Sequence, residues 1–262
     1  MAQNTRAYLA FKAESERLTN LVALFSHAVP VLTRILASPQ ASALVPLKPA
    51  DSFPNDKATG PTLLTWAKDY ELDLARIIVL SVFSNFEAYI RSVILEVYDR
   101  QGGIENFITL TEKRSTRYWK SAPPDIAEAK GKLQMIDNKG KADRSRKYSK
   151  ILTAAAFPFP PDILAVYGAR KLAEKVQINA RTAFRASEIP DMLGEALLFK
   201  ATSGEKGMYE ELRKLRNDVG HANPTTLSVH EAIKKTTMLR KWASRIDAHI
   251  EEHFLVLAKY SI

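Results

Sequence analysis

Apolar residues recur at helical spacing along most of the chain, and paired runs of strand-like alternation are absent. The first segment, 4–28, carries Tyr8, Leu9, Phe11, Leu18, Leu21, Val22, Leu24 and Phe25. Pro30 stands where a kink or stop is expected, with Val31 to Leu36 adding another turn or two. Residues 38–60, rich in Pro and Ser, read as a loop. After Gly60-Pro61 a long helical pattern runs from Leu63 through Leu74, Ile78, Phe83, Phe86, Tyr89, Ile90 and Val93 to Val97, stopping at Gly102-Gly103. Its β-branched run Ile77-Ile78-Val79 has strand propensity, but the helix-periodic flanks and the lack of a partner strand make it helical. Being apolar nearly all round, this segment is expected to be the central, most buried helix.

Residues 104–160 have weaker periodicity and read as an insertion between core helices. Asp162 caps a predicted helix reaching Val176, and Ser187-Glu188 opens another with Pro190 in its first turn. Gly204 and Gly207 precede a helix bearing Met208, Leu212, Leu215 and Val219. Ser228-Val229-His230-Glu231 is a capping box opening the last helix, whose inner face holds Ile233, Leu239, Trp242, Ile246, Ile250 and Leu257. The fold class predicted is all-α, a single helical domain over 1–262.

Composition narrows the chemistry. At 262 residues with 46% apolar and 26% charged, the chain is ordinary for a soluble globular protein. It has no cysteine, which excludes disulfides, thiolate metal sites and a Cys nucleophile. The start of the sequence lacks the layout of a signal peptide, and the near-apolar run Ile77 to Phe83 is too short to cross a bilayer. The expectation is a cytoplasmic protein without a membrane role.

The net charge of +9 is concentrated: Lys113 to Lys150 hold twelve Lys or Arg against four acids, +8 in all. Such a stretch suits a polyanion, nucleic acid first, and equally suits a solvated loop. Its candidate RNA-binding residues are Lys139, Lys141, Arg144, Arg146 and Lys147. Tyr118, Trp119, Phe157 and Phe159 flank it, placed to stack on bases or to pin the loop to the core.

The densest chemistry lies at Arg216-Asn217-Asp218-Val219-Gly220-His221, just before Asn223-Pro224. Arg offers a forked pair of donors to phosphate, and His moves a proton near pH 7. Those are the requirements of RNA cleavage through the 2′-hydroxyl without metal. Residues five apart on a helix differ by about 140°, so the site needs the helix to end first; Gly220, in a left-handed C-cap, is expected to fold His221 back toward Arg216. In the same stretch Asn217 and Asp218 are equally suited to capping the turn, and His221 to bonding the helix carbonyls.

This segment resembles the Arg-x4–6-His signature of HEPN domains, all-helical proteins that include metal-independent RNases of toxin and antiphage systems. Leu80 to Ile90, with Phe86-Glu87-Ala88-Tyr89, is similar to the helix found upstream of that motif in several HEPN branches. The resemblance implies a metal-independent endoribonuclease leaving a 2′,3′-cyclic phosphate, in a helical bundle whose basic insertion has no assigned counterpart. It implies Arg216, His221 and Asn217 as catalytic residues, Asp218 and Glu87 as support, no cofactor and no metal. It implies as partners an RNA substrate, a second copy with both motifs in one cleft, and an antitoxin or defence protein. Lys214 and Arg213 would steer the RNA backbone. The alternative is a HEPN-like module that binds nucleic acid or a partner without cleaving.

Asn85 and Glu87 stand in an otherwise apolar stretch, facing either the motif or solvent. His249-Ile250-Glu251-Glu252-His253 fits the inverted zinc-peptidase pattern, but no acid or His follows to supply the third ligand. His27 and His230 read as surface or cap residues.

Overall fold

A computed structural model describes residues 4–38, 60–100, 185–195 and 199–251, with 102, 103, 105, 106 and 109. The basic stretch 113–150, its flanking aromatics and the helix expected from Asp162 lie outside the described residues. Among the described residues there is no strand, and the fold is all-α.

Among the described residues six helices carry it: α1 (Arg6–Ala37), α2 (Gly60–Trp66), α3 (Tyr70–Arg100), α4 (Ile189–Glu195), α5 (Ser203–Gly220) and α6 (Val229–Ile250). A 3₁₀ turn, Ala186–Glu188, leads into α4. α1 runs through Pro30 without stopping. Pro lacks only the N–H that would have bonded Ser26, and the helix continues on either side of that one missing bond. The pattern read as one helix from Leu63 is broken at residues 67–69, where Ala67, Lys68 and Asp69 bond back to Leu63, Thr65 and Trp66. α5 starts before Gly204 rather than after Gly207. Thr202 and Glu205 exchange side-chain bonds with each other's N–H groups, a capping box that outweighs two glycines in the first turns.

α3 is the core. Ile78, Val79, Val82, Phe83, Phe86, Ile90 and Val93 are fully buried, with α1, α5 and α6 packed around them. Tyr8 meets Tyr89 and Phe11 meets Phe86, so α1 is antiparallel to α3. Phe86 meets Trp242 and the Tyr89 hydroxyl donates to the Ala243 carbonyl, so α6 is parallel to α3. α5 lies antiparallel to α6, with the Tyr209 and Trp242 rings stacked 5.6 Å apart and Arg245 paired with Glu205. α3 ends at Gly102, whose φ of 77° is the left-handed cap that lets Gly103 N–H reach the Tyr98 carbonyl at 2.8 Å.

By length and composition α1 and α3 are each apolar enough to cross a membrane. Half of α3's most apolar window is buried among the other helices, against 6% of α1's.

One charged residue ties the bundle's first helix to its core. Glu96, buried on α3, accepts N–H bonds from Arg6 and Ala7, which open α1, at 3.0 and 2.9 Å, and pairs with Arg100. Thr5, capping α1, also donates to buried Asp247 of α6. Burial pushes the Glu96 carboxyl up, but the Ala7 and Arg6 N–H bonds and the Arg100 guanidinium outweigh it and hold the pKa below the usual range. A carboxylate with a depressed folded pKa stabilises above its unfolded pKa, and that stability is lost as pH falls through the folded value. Glu96→Gln is therefore expected to lower stability by about 1–3 kcal/mol at pH 7 in urea unfolding. The gap to wild type should close below about pH 4.

Candidate functional site

The position of Arg216 follows from that of Tyr209. The two are seven residues apart, hence about 20° apart around α5. Tyr209 is buried against Phe83, Phe86 and Trp242, and its hydroxyl donates to the Ala186 carbonyl at 2.7 Å. Arg216 is thereby turned toward α3, at the edge of the core, with its side chain 35% exposed.

There it is held on three sides. Nη2 lies 3.5 Å from Glu87 Oε2, Nη1 donates to Asn217 Oδ1 at 3.1 Å, and the guanidinium sits 5.7 Å from the centre of the Phe83 ring. Of the five N–H donors of a guanidinium, three have no protein partner among the described contacts. Burial raises the pKa of Glu87, opposed by the charges of Arg216 and Arg91. The result is a cation with a fixed plane and donors left for a phosphate or carboxylate.

His221 is placed differently. Gly220 is helical, so the expectation of a left-handed Gly220 is corrected: the left-handed residue is Ala222, at φ 56°. The backbone closes α5 with Asn223 N–H on the Asp218 carbonyl at 2.9 Å and Ala222 N–H on the Val219 carbonyl at 3.2 Å, a Schellman cap two residues later than expected. His221, at the C-cap, gives its N–H to the Asn217 carbonyl and keeps nearly helical placement. Its side chain therefore leaves the helix about 140° from Arg216 and is exposed. No hydrogen bond or ion pair joins it to Arg216 or Glu87 among the described contacts.

The structure thus brings together Arg216, Asn217 and Glu87, and does not bring His221 to them within one chain. Asp218 is exposed and serves the cap, accepting from Asn223 Nδ2 at 3.1 Å. Lys214 is exposed two turns before His221, on the same side of α5. Arg213 is engaged by Glu210 at 2.7 Å. Lys139, Lys141, Arg144, Arg146 and Lys147 lie outside the described residues. Of the zinc-peptidase pattern, His249 is half-buried with its ring edge-on to Phe199, while Glu252 and His253 are not described.

Sequence reasoning missed Phe83 as the ring beneath Arg216, although the four-residue spacing of Phe83 and Glu87 places both on one side of α3. It also missed Ala222. Nothing in Ala marks a left-handed residue; the neighbouring Gly220 drew attention to the wrong position.

The cap sets the same expectation for two opposite substitutions. Ala222→Gly removes a left-handed Cβ and should raise stability by about 0.5–1 kcal/mol. Gly220→Ala should raise it by a similar amount, since a Cβ there meets nothing nearer than Leu80 Cδ2 at 4.0 Å and Ala favours a helix by about 1 kcal/mol. Loss of stability in Gly220→Ala, measured by thermal or urea unfolding, would put the left-handed residue at Gly220 instead.

Compared with the profiles of known families, with curated proteins and with solved structures, the chain has no significant match.

Proposed function

We propose that this chain is a HEPN-like, metal-independent endoribonuclease, acting in the cytoplasm as a toxin or antiphage effector. The observation that carries the reading is Arg216. It is oriented by Glu87, Asn217 and Phe83, it is partly open to solvent, and it lies five residues before an exposed His at the end of the same helix.

In this reading the spare donors of Arg216 bind the scissile phosphate and stabilise the charge that builds on it. His221 takes the proton of the ribose 2′-hydroxyl, whose oxygen attacks phosphorus. The bond to the 5′-oxygen of the next nucleotide breaks, leaving a 2′,3′-cyclic phosphate and a 5′-hydroxyl. Protonating that leaving oxygen falls to a group outside the motif, either His221 of a second copy or water. Asn217 and Glu87 act as positioning residues, since both touch Arg216. Lys214 adds positive charge on the His221 side of the helix.

A second reading rests on the same geometry. Arg216 has two anchors already, and His221 points about 140° away, which suits a module that binds a polyanion or an acidic partner without cutting it. Cleavage assays separate the two. For the nuclease, Arg216→Ala and His221→Ala should each lower RNA cleavage by on the order of 10² or more without unfolding the protein. Cleavage should persist in EDTA and leave cyclic phosphate ends. Purified protein that binds RNA and cuts none, or that cuts only with added Mg²⁺, would overturn the nuclease reading.

A further inference from the structure

α1 carries two apolar seams. Ala7, Phe11, Ser15, Leu18 and Val22 are buried on the side facing the bundle. Leu21, Leu24, Ala28, Val31 and Ile35 form a second stripe, spaced three, four, three, four, and about 120° further round the helix. All five are exposed, Leu24 and Val31 by 63% and 56%, and Phe25 is exposed beside them. The pairing of Tyr8 with Tyr89 and Phe11 with Phe86 brings Tyr70, where α3 begins, level with about His27. The last ten or so residues of α1 therefore run past the end of the core helix.

We propose that this second seam is a dimer interface, its occupant the same seam of another copy in antiparallel two-fold contact. The spacing is close to symmetric about Ala28, with Leu21 and Ile35 seven residues to either side, Leu24 four before it and Val31 three after. An axis there sets Ala28 against Ala28 and Leu21 against Ile35, and brings Leu24 within one residue, about 1.5 Å along the helix, of Val31, with the smallest residue where two helices approach most closely and large ones on either side. The three-four repeat is the pattern of a helix–helix seam. Five half-exposed side chains with Phe25 amount to on the order of 400 Å² per copy, as large as the largest apolar patch of a typical monomer, which is often functional. Two such patches with their polar margins reach the roughly 1,000 Å² a specific dimer needs.

Charge favours a second copy as well. From Leu18 to Thr33 no side chain is an acid, Lys or Arg, so two copies meet without like-charge repulsion. A helix lying on anionic lipid carries several Lys or Arg on its polar face; the polar side here is Thr19, Asn20, Ser26, His27, Thr33 and Arg34, with one permanent cation. The inference does not rest on the nuclease reading, and Arg216→Ala should remain dimeric.

The test uses the full chain. Light scattering at about 50 µM should give a dimer, and Leu24→Glu with Val31→Glu should give a monomer of unchanged helicity. Because the chain has no cysteine, introduced thiols report the contact directly. Ala28→Cys should form a disulfide-linked dimer under mild oxidation, Leu24→Cys alone should not, and Leu24→Cys with Val31→Cys should. The Cys variants decide the matter if the Glu variant fails to fold. A wild-type monomer, a dimer that survives both Glu substitutions, or no cross-link at Ala28 would overturn the proposal. So would a monomer that co-sediments with phosphatidylglycerol–phosphatidylcholine vesicles through Leu24 and Val31, which would assign the seam to lipid.

Discussion

Phe86 is the point at which four helices meet. Its ring lies 6.2–6.4 Å from those of Phe11 on α1, Tyr89 on α3 itself, Tyr209 on α5 and Trp242 on α6. Aromatic pairs of this kind add about 0.5–1.5 kcal/mol each beyond the area they bury, and they do so in preferred orientations. They therefore fix the rotation of each helix about its own axis as well as its distance. Tyr209, stacked on Trp242 and bonded to the Ala186 carbonyl, locks α5 with one side inward. Arg216 shares that side and Glu87 follows Phe86 directly, so the charged pair at the rim of the core is a consequence of the aromatic pairs within it.

The same rotation separates the motif's two chemical groups. Turning Arg216 inward turns His221 outward, because α5 stays helical through Gly220 and the left-handed residue comes only at Ala222. A single chain thus offers an anchored cation on one side of a helix end and a free imidazole on the other. Any substrate that meets both must cross the end of α5, or meet a His221 that belongs to a second copy. The tie at Glu96 explains how the long, largely exposed α1 stays on the bundle: its opening N–H groups are bonded to a carboxylate set inside the core helix.

Periodicity made the all-α class and the inner face of α3 legible, because an apolar surface on most sides leaves a helix nowhere but the centre. The capping box at Ser228 placed the start of α6, and Thr202 with Glu205 carried an equal signal at α5 that the nearby glycines masked. Glu96 was visible as a lone acid between Leu95 and Val97, yet its partners, the first N–H groups of α1, are about ninety residues away. Arg216 and Asn217 were readable as a pair from adjacency, and Glu87 as a polar residue in an apolar stretch. The direction of His221 was not, since it depends on which residue turns left-handed, and Ala222 gives no local sign of that. The second seam of α1 was present in the spacing, but only the geometry of α3 shows that nothing in the described bundle covers it.

Glu87 is the contact through which α3 holds Arg216 in place. A double-mutant cycle on unfolding free energy, with Glu87→Gln, Arg216→Ala and the two combined, measures that coupling in isolation from any assumption about substrate. Half-buried as it is, the pair should show a coupling of about 1 kcal/mol that shrinks little between 0.1 and 1 M salt. Strict additivity of the two substitutions would contradict it, and would return Arg216 to the status of a surface cation whose direction is set by nothing in the core.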